Sequence, residues 1–133
     1  WFGRSVSGAG DVNGDGYADV IVGAYRSDVN GTSSGSAYVY SGLDGALIYD
    51  WHGQAAGDWF GRSVSGAGDV NGDGYADVIV GAYYSDVNGY ASGSAYVYSG
   101  INTSLPPIAL DDYLYVSGES VINIDVLQNE KYR

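Results

Sequence analysis

Residues 1–42 read WFGRSVSGAGDVNGDGYADVIVGAYRSDVNGTSSGSAYVYSG, and residues 59–100 repeat them at 39 of 42 positions. Only Arg26/Tyr84, Thr32/Tyr90 and Ser33/Ala91 differ across the 58-residue offset. A fixed period of this length marks a repeat architecture, in which each unit buries its apolar faces against its neighbours. A 58-residue unit alone would bury only about 60% of its unfolded surface, so stacking is a condition of stability. Whatever chemistry the repeat carries is present twice.

Within each unit the pattern is that of short strands with a period of two. Residues 2–7 (FGRSVS) form a first strand and residues 18–25 (ADVIVGAY), apolar and β-branched, a buried second one. Residues 27–35 (SDVNGTSSG) are turn chemistry, with Asn30-Gly31 suited to positive φ. In the third strand, residues 36–41, Tyr38 and Tyr40 alternate with Ala37 and Val39. After a turn at residues 43–45, residues 46–51 (ALIYDW) make a fourth. Four antiparallel strands per unit is the plan of a propeller blade. With 22 glycines among 133 residues and no long helical pattern, the chain reads as all-β.

The second copy departs from the first after Gly100. Pro106-Pro107 cannot donate to a ladder and reads as a linker. Beyond it, residues 113–116 and 121–126 alternate around a turn at 117–120, a hairpin foreign to the repeat that replaces the fourth strand. The expected division is a blade at 1–58, a second at 59–104, and a linker with a β-hairpin tail at 105–133. Two blades cannot close a ring. The chain is therefore cropped from a longer propeller, closes a ring by oligomerising, or stacks end to end into a fibre.

The repeat's chemistry lies in an acidic loop. In Asp11-Val12-Asn13-Gly14-Asp15-Gly16-Tyr17-Ala18-Asp19, oxygen-bearing side chains fall at loop positions 1, 3, 5 and 9. Glycines occupy positions 4 and 6, where the chain turns sharply, and Tyr17 offers its main-chain carbonyl at position 7. This alternation turns successive hard oxygens to one centre and suits Ca²⁺, with ligands at roughly 2.3–2.6 Å, better than Mg²⁺. The second copy supplies Asp69, Asn71, Asp73, the Tyr75 carbonyl and Asp77, giving two Ca²⁺ sites. Position 12 is Val22 or Val80 rather than a bidentate Glu, and the flanks are strands, so this is not an EF-hand.

The overall charge agrees. The chain carries −11 at neutral pH, and six of its 16 acidic residues sit in the two loops. Two bound Ca²⁺ would reduce the charge to −7. Nucleic acid is excluded as a partner by the lack of clustered Lys and Arg. No apolar run of 18 residues is present, which excludes helical membrane insertion. Absence of cysteine removes disulfides and thiolate chemistry.

Other residues fall to plainer roles. Tyr38, Tyr40, Tyr96 and Tyr98, with Tyr84 and Tyr90, can be read as a sugar-stacking platform, but packing between blades and strand propensity is the favoured account. Trp1, Trp51 and Trp59 read as packing residues. His52 reads as a surface residue in a turn, and Ser36 and Ser94 have no implied base, so no catalytic set is evident. Asn30-Gly31-Thr32 and Asn102-Thr103-Ser104 match the N-glycosylation pattern.

The loop with its flanks resembles the FG-GAP repeat, the blade unit of integrin α-subunit β-propellers. The resemblance rests on Phe2-Gly3, on residues 5–16 (SVSGAGDVNGDG) and on residues 19–24 (DVIVGA), with the same letters from Phe60-Gly61 to Gly81-Ala82. Tyr25 and Tyr83 stand where the motif ends in proline. The resemblance implies four-stranded blades with calcium between the first two strands. The tail, through residues 107–112 and 121–129, is similar to the start of the cadherin-like or Ig-like domains of bacterial surface proteins. The expected function is a calcium-stabilised, non-enzymatic extracellular or cell-surface module for adhesion or surface assembly. Its expected partners are other copies of itself, further repeats of a parent chain, surface proteins or glycans. A structural subunit of an extracellular filament and a carbohydrate-binding module are the alternatives.

Overall fold

A computed structural model of the protein describes residues 1–100 and 121–124. The strands are β1 (Ser5–Gly10), β2 (Asp19–Ala24), β3 (Ser36–Tyr40), β4 (Leu47–His52), β5 (Phe60–Gly68), β6 (Asp77–Ala82), β7 (Ser94–Tyr98) and β8 (Val121–Ile124). They form two antiparallel four-stranded meanders, β1-β2-β3-β4 and β5-β6-β7-β8. The two blades read from the sequence are therefore present.

Two expectations are corrected. The first strand does not begin at Phe2: it starts at Ser5, whereas its counterpart β5 runs from Phe60 through all nine residues. The same letters differ because Phe60 is bridged to Gly35 of the preceding blade. The second sheet also keeps a fourth strand. Within the tail, β8 pairs with β7 from Ala95↔Ile124 to Tyr98↔Val121, so this part of the supposedly foreign hairpin belongs to the blade. The other half of that hairpin, the prolines and the Asn102 sequon lie outside the described residues.

The period-two pattern decides which side chains meet between the sheets. From the first sheet Ile21, Ala37 and Val39 face inward, joined by Ala9 and Val12. From the second come Phe60, Val78, Val80, Tyr96 and Tyr98. These are not equivalent sets. Tyr38 and Tyr40, the counterparts of Tyr96 and Tyr98, lie on the first sheet's opposite face with Phe2, at ring distances of 5.9 and 6.3 Å. The sheets thus stack in one direction, the front of one blade on the back of the next. Trp51 of β4 closes the core by stacking on Tyr98 at 4.1 Å. Burying an aromatic ring of this kind is worth about 1.5–3 kcal/mol.

Aromatic rings also line the edge of the stack. Trp1, Tyr25, Trp59 and Tyr84 follow one another at 6.0, 5.4 and 4.6 Å. The Arg26 guanidinium lies 4.7 Å from Trp1, and that of Arg62 lies 5.1 Å from Trp59. Two of the chain's few cations are thereby held against ring faces.

Candidate metal centre

Each acidic loop joins the first two strands of its blade. Asp11 organises the first loop. One of its carboxylate oxygens accepts the N–H groups of Gly14 (2.7 Å) and Asp15 (3.1 Å), and the other accepts Gly16 N–H (2.8 Å). The Asn13 side-chain oxygen also accepts Asp15 N–H, at 3.2 Å, and Asp15 accepts Tyr17 N–H at 2.9 Å. Gly14 and Gly16 lie at φ 76° and 88°, the left-handed conformation that curls the backbone around Asp11. Asp19 closes the loop from below. It is buried, and its two oxygens accept Val12 N–H (2.8 Å) and Gly42 N–H (3.0 Å), tying loop, β2 and the end of β3 together.

The second loop repeats this geometry. Asp69 accepts from Gly72, Asp73 and Gly74, Asn71 from Asp73, Asp73 from Tyr75, and Asp77 from Val70 and Gly100. Further contacts distinguish it: Asn71 Nδ2 donates to an Asp73 carboxylate oxygen at 3.3 Å, and Ser99 Oγ lies 3.2 Å from both Asn71 Nδ2 and that same oxygen. Burial pushes the Asp77 carboxyl above its usual range, and the nearby Asp73 and Asp69 charges push it further, against the pull of the Gly100 and Val70 N–H groups.

All ten residues read from the sequence thus lie in these two loops. Among the described residues, however, no group of three or more acidic or imidazole side chains is gathered closely enough to hold an ion unaided. The oxygens are turned to backbone donors. A fit survives in their remaining capacity, because each carboxylate or amide oxygen carries two lone pairs. In the first loop only the Asp11 oxygen shared by Gly14 and Asp15 is filled; in the second the Asp69 oxygen shared by Gly72 and Asp73 is filled, and so is the Asp73 oxygen shared by Asn71 Nδ2 and Ser99 Oγ. Asn13, Asp15 and Asp19, with the second oxygen of Asp11, keep acceptor sites for a hard cation.

The adjacency of the loops was hidden in the sequence. Ala76 N–H donates to the Asp11 carbonyl at 3.1 Å, and the Tyr75 ring lies close over Gly14. The loops are neighbours at one end of the stack, so ordering the first loop also orders a contact between blades.

The histidine and the tyrosines need correction. His52 is the last residue of β4, not part of a turn. Its Nδ1 is 2.8 Å from Ser36 Oγ and its Nε2 3.3 Å from Asp50, so Ser36 does have a basic neighbour. The order resembles that of a nucleophile, base and acid, but Ser36 is completely buried and also bonds Ser27 Oγ at 2.7 Å. No substrate reaches that oxygen, and the arrangement is a polar latch between β3 and β4. A tyrosine platform does not form either. Tyr96 and Tyr98 are buried in the core, whereas Tyr90 is almost fully exposed.

Comparison with known proteins bears on both blades. Residues 2–40 and 60–98 each match the family model for the FG-GAP repeat. The chain is 37% identical to integrin alpha-2 of Bos taurus over 91 residues, covering 62% of this chain and 8% of that protein. It is 42% identical to integrin alpha-E of Mus musculus over 97 residues, covering 65% and 8%. The chain therefore spans a small part of the length of these relatives.

Proposed function

The chain belongs to the FG-GAP repeat family, and on that premise we propose that it is a calcium-stabilised, non-enzymatic extracellular module for adhesion or surface assembly. The observation that carries this reading is the duplicated loop. Two copies of one acidic sequence adopt one conformation, each with three carboxylates and an amide oxygen and with acceptor sites to spare. Asp11, Asn13, Asp15, Asp19 and the Tyr17 carbonyl hold one Ca²⁺, and Asp69, Asn71, Asp73, Asp77 and the Tyr75 carbonyl the other. The ion supplies charge compensation: it offsets the repulsion among the crowded carboxylates and fixes the end of the stack where the loops meet. The similarity to integrin α chains supports a place at the cell surface, and the burial of Ser36 supports a role without catalysis.

Thermal melting with and without chelator tests the calcium reading. With Ca²⁺ at about ten times its Kd, each site adds roughly 1.4 kcal/mol to folding. EDTA is therefore expected to lower the melting temperature by several degrees. Replacing Asp15→Ala and Asp73→Ala together should remove that sensitivity. An unchanged melting temperature when calcium-loaded protein is chelated would refute the reading.

A further inference from the structure

Four asparagines directly precede a glycine: Asn13, Asn30, Asn71 and Asn88. In such a pair no side chain hinders the glycine nitrogen, which can attack the asparagine side-chain carbonyl carbon and close a succinimide ring. Asn13 and Asn71 lie in the two acidic loops, whose residues 11–19 and 69–77 are letter-for-letter the same. Any difference in reactivity between these two is therefore set by the fold.

Around Asn13 the loop supplies what that reaction needs. Gly14 N–H, the nucleophile, donates to an Asp11 carboxylate oxygen at 2.7 Å, and a carboxylate so placed can take its proton. Asn13 Oδ1 accepts Asp15 N–H at 3.2 Å, which folds the side chain forward over the following peptide and polarises the carbonyl where negative charge develops. Among the described residues nothing holds Asn13 Nδ2, the leaving group. At Asn71 the first two groups recur, with Gly72 N–H donating to Asp69 at 2.8 Å and Asp73 N–H to Asn71 Oδ1 at 3.2 Å. There, however, Nδ2 is pinned between Asp73 and Ser99. Ser41, the counterpart of Ser99, is engaged elsewhere, its Oγ accepting Leu43 N–H at 3.1 Å. At Asn30 and Asn88 the glycine N–H donates to a neutral backbone carbonyl, of Asp28 at 3.3 Å and of Asp86 at 3.1 Å, and Asn30 Nδ2 is held by the Gly53 carbonyl at 2.8 Å. The Tyr75 ring stiffens the backbone at Gly14, and nothing covers Gly72. Ring closure moves the asparagine side chain more than the glycine, so the bonds on the amide decide.

We propose that Asn13 is a site of spontaneous deamidation in the folded chain, favoured over its sequence twin Asn71. The Gly14 nitrogen bonds to Asn13 Cγ as its proton passes to Asp11. The Cγ–Nδ2 bond then breaks, and Nδ2 takes that proton and leaves as ammonia. Water opens the succinimide at either carbonyl, leaving an aspartyl or isoaspartyl residue at position 13 and the Asp11 carboxylate restored. Closure must swing the side-chain amide, which breaks both Nδ2 contacts at Asn71 and none at Asn13. The product gives the first loop a fourth carboxylate, so two blades alike in sequence come to differ in charge.

The test incubates the full chain at neutral pH in chelator, below its melting temperature. Each site is followed by tandem mass spectrometry after trypsin, which isolates Asn13 on residues 5–26. Chelation keeps any cation off the Asp11 and Asn13 oxygens, so the outcome does not depend on the calcium reading. Asn13 is expected to convert about tenfold faster than Asn71, the ratio for two ordinary hydrogen bonds that must break, and faster than Asn30 and Asn88. In denaturant the Asn13 and Asn71 rates should become equal. Ser99→Ala should speed conversion of Asn71. Asp11→Asn keeps an acceptor for Gly14 N–H but takes no proton, and in protein of native circular dichroism it should slow Asn13 roughly tenfold or more. Asn13 converting no faster than Asn71 in the folded chain overturns the proposal. So does a lead that persists in denaturant, or one that Asp11→Asn leaves unchanged.

Discussion

Phe2 and Phe60 stand in the same local sequence, yet one is a half-exposed ring beside Tyr38 and Tyr40 and the other is the largest fully buried side chain of the core. Around Phe60 the backbone is strand from the first residue, paired to Ala82 and bridged to Gly35. Around Phe2 the same letters form a turn, and pairing begins only at Ser5. Val12 and Val70 differ in the opposite sense, at 1% and 46% exposure, because Val12 lies against the second blade beside Gly100. Near-identical repeats thus acquire unlike interiors from their place in the stack. A residue's contribution here is a property of the junction it occupies.

The largest test of this contrast is truncation of the two rings. Phe60→Ala should cost about 3–5 kcal/mol, the range for a large buried aromatic, and Phe2→Ala less than about 1 kcal/mol, both read from denaturant unfolding of monomeric protein. Equal losses would mean that the blades fold without depending on the junction.

A smaller and opposite effect is expected at the tyrosines. The Tyr98 hydroxyl is buried without a hydrogen-bond partner among the described residues, and burial holds its pKa well above the ordinary value, with Tyr96 adding to it. Removing an unsatisfied buried hydroxyl relieves about 1 kcal/mol or more, so Tyr98→Phe should stabilise the protein. Tyr40→Phe, at the same place in the open face, should be neutral. A loss of stability in Tyr98→Phe would show that the hydroxyl has a partner.

The smallest effect concerns Asp58, the residue that leads into Trp59, whose N–H donates to the Ser33 carbonyl of the first blade. Its side chain accepts Ala55 N–H at 3.0 Å and its carbonyl accepts Tyr84 N–H at 3.2 Å. Burial raises its pKa above the usual carboxylate value and Asp86 adds to the rise, against the Ala55 and Gln54 N–H groups. The folded state therefore holds this proton to higher pH than the unfolded chain does. Asp58's contribution is most favourable below the ordinary carboxylate range and is lost as pH rises through the raised value. Asp58→Asn keeps the acceptor without the charge. It should raise the melting temperature at neutral pH by roughly 2 °C, a few tenths of a kcal/mol for a chain of this size, and flatten the acid side of the stability profile.

Much of this protein was legible from its residues. β2 and β3 were found nearly to the residue because alternation of Val, Ile, Tyr and Ala is a local signal, as are the glycine-punctuated turns. The acidic loops were found because oxygen spacing is written directly in the chain. His52 and Ser36 were misread because their contact crosses from β3 to β4, and a pairing register is not visible in either strand alone. The strand at 121–124 was found but assigned to a foreign hairpin rather than to the blade, because proline and a change of composition signal a boundary, whereas backbone pairing is indifferent to side-chain kinship. Ser33 and Ser34, whose carbonyls accept the Trp59 and Phe60 N–H groups, read only as a turn, since those carbonyls acquire meaning when a second backbone approaches.

By itself, then, the sequence determined the repeat, from its 58-residue period, and the strands, four-strand plan and loop chemistry within it, which depend on short local spacings. Tertiary structure decided which of two chemically identical faces is buried and that the acidic loops lie side by side. Stacking is directional, and a repeat cannot encode locally whether its neighbour is there.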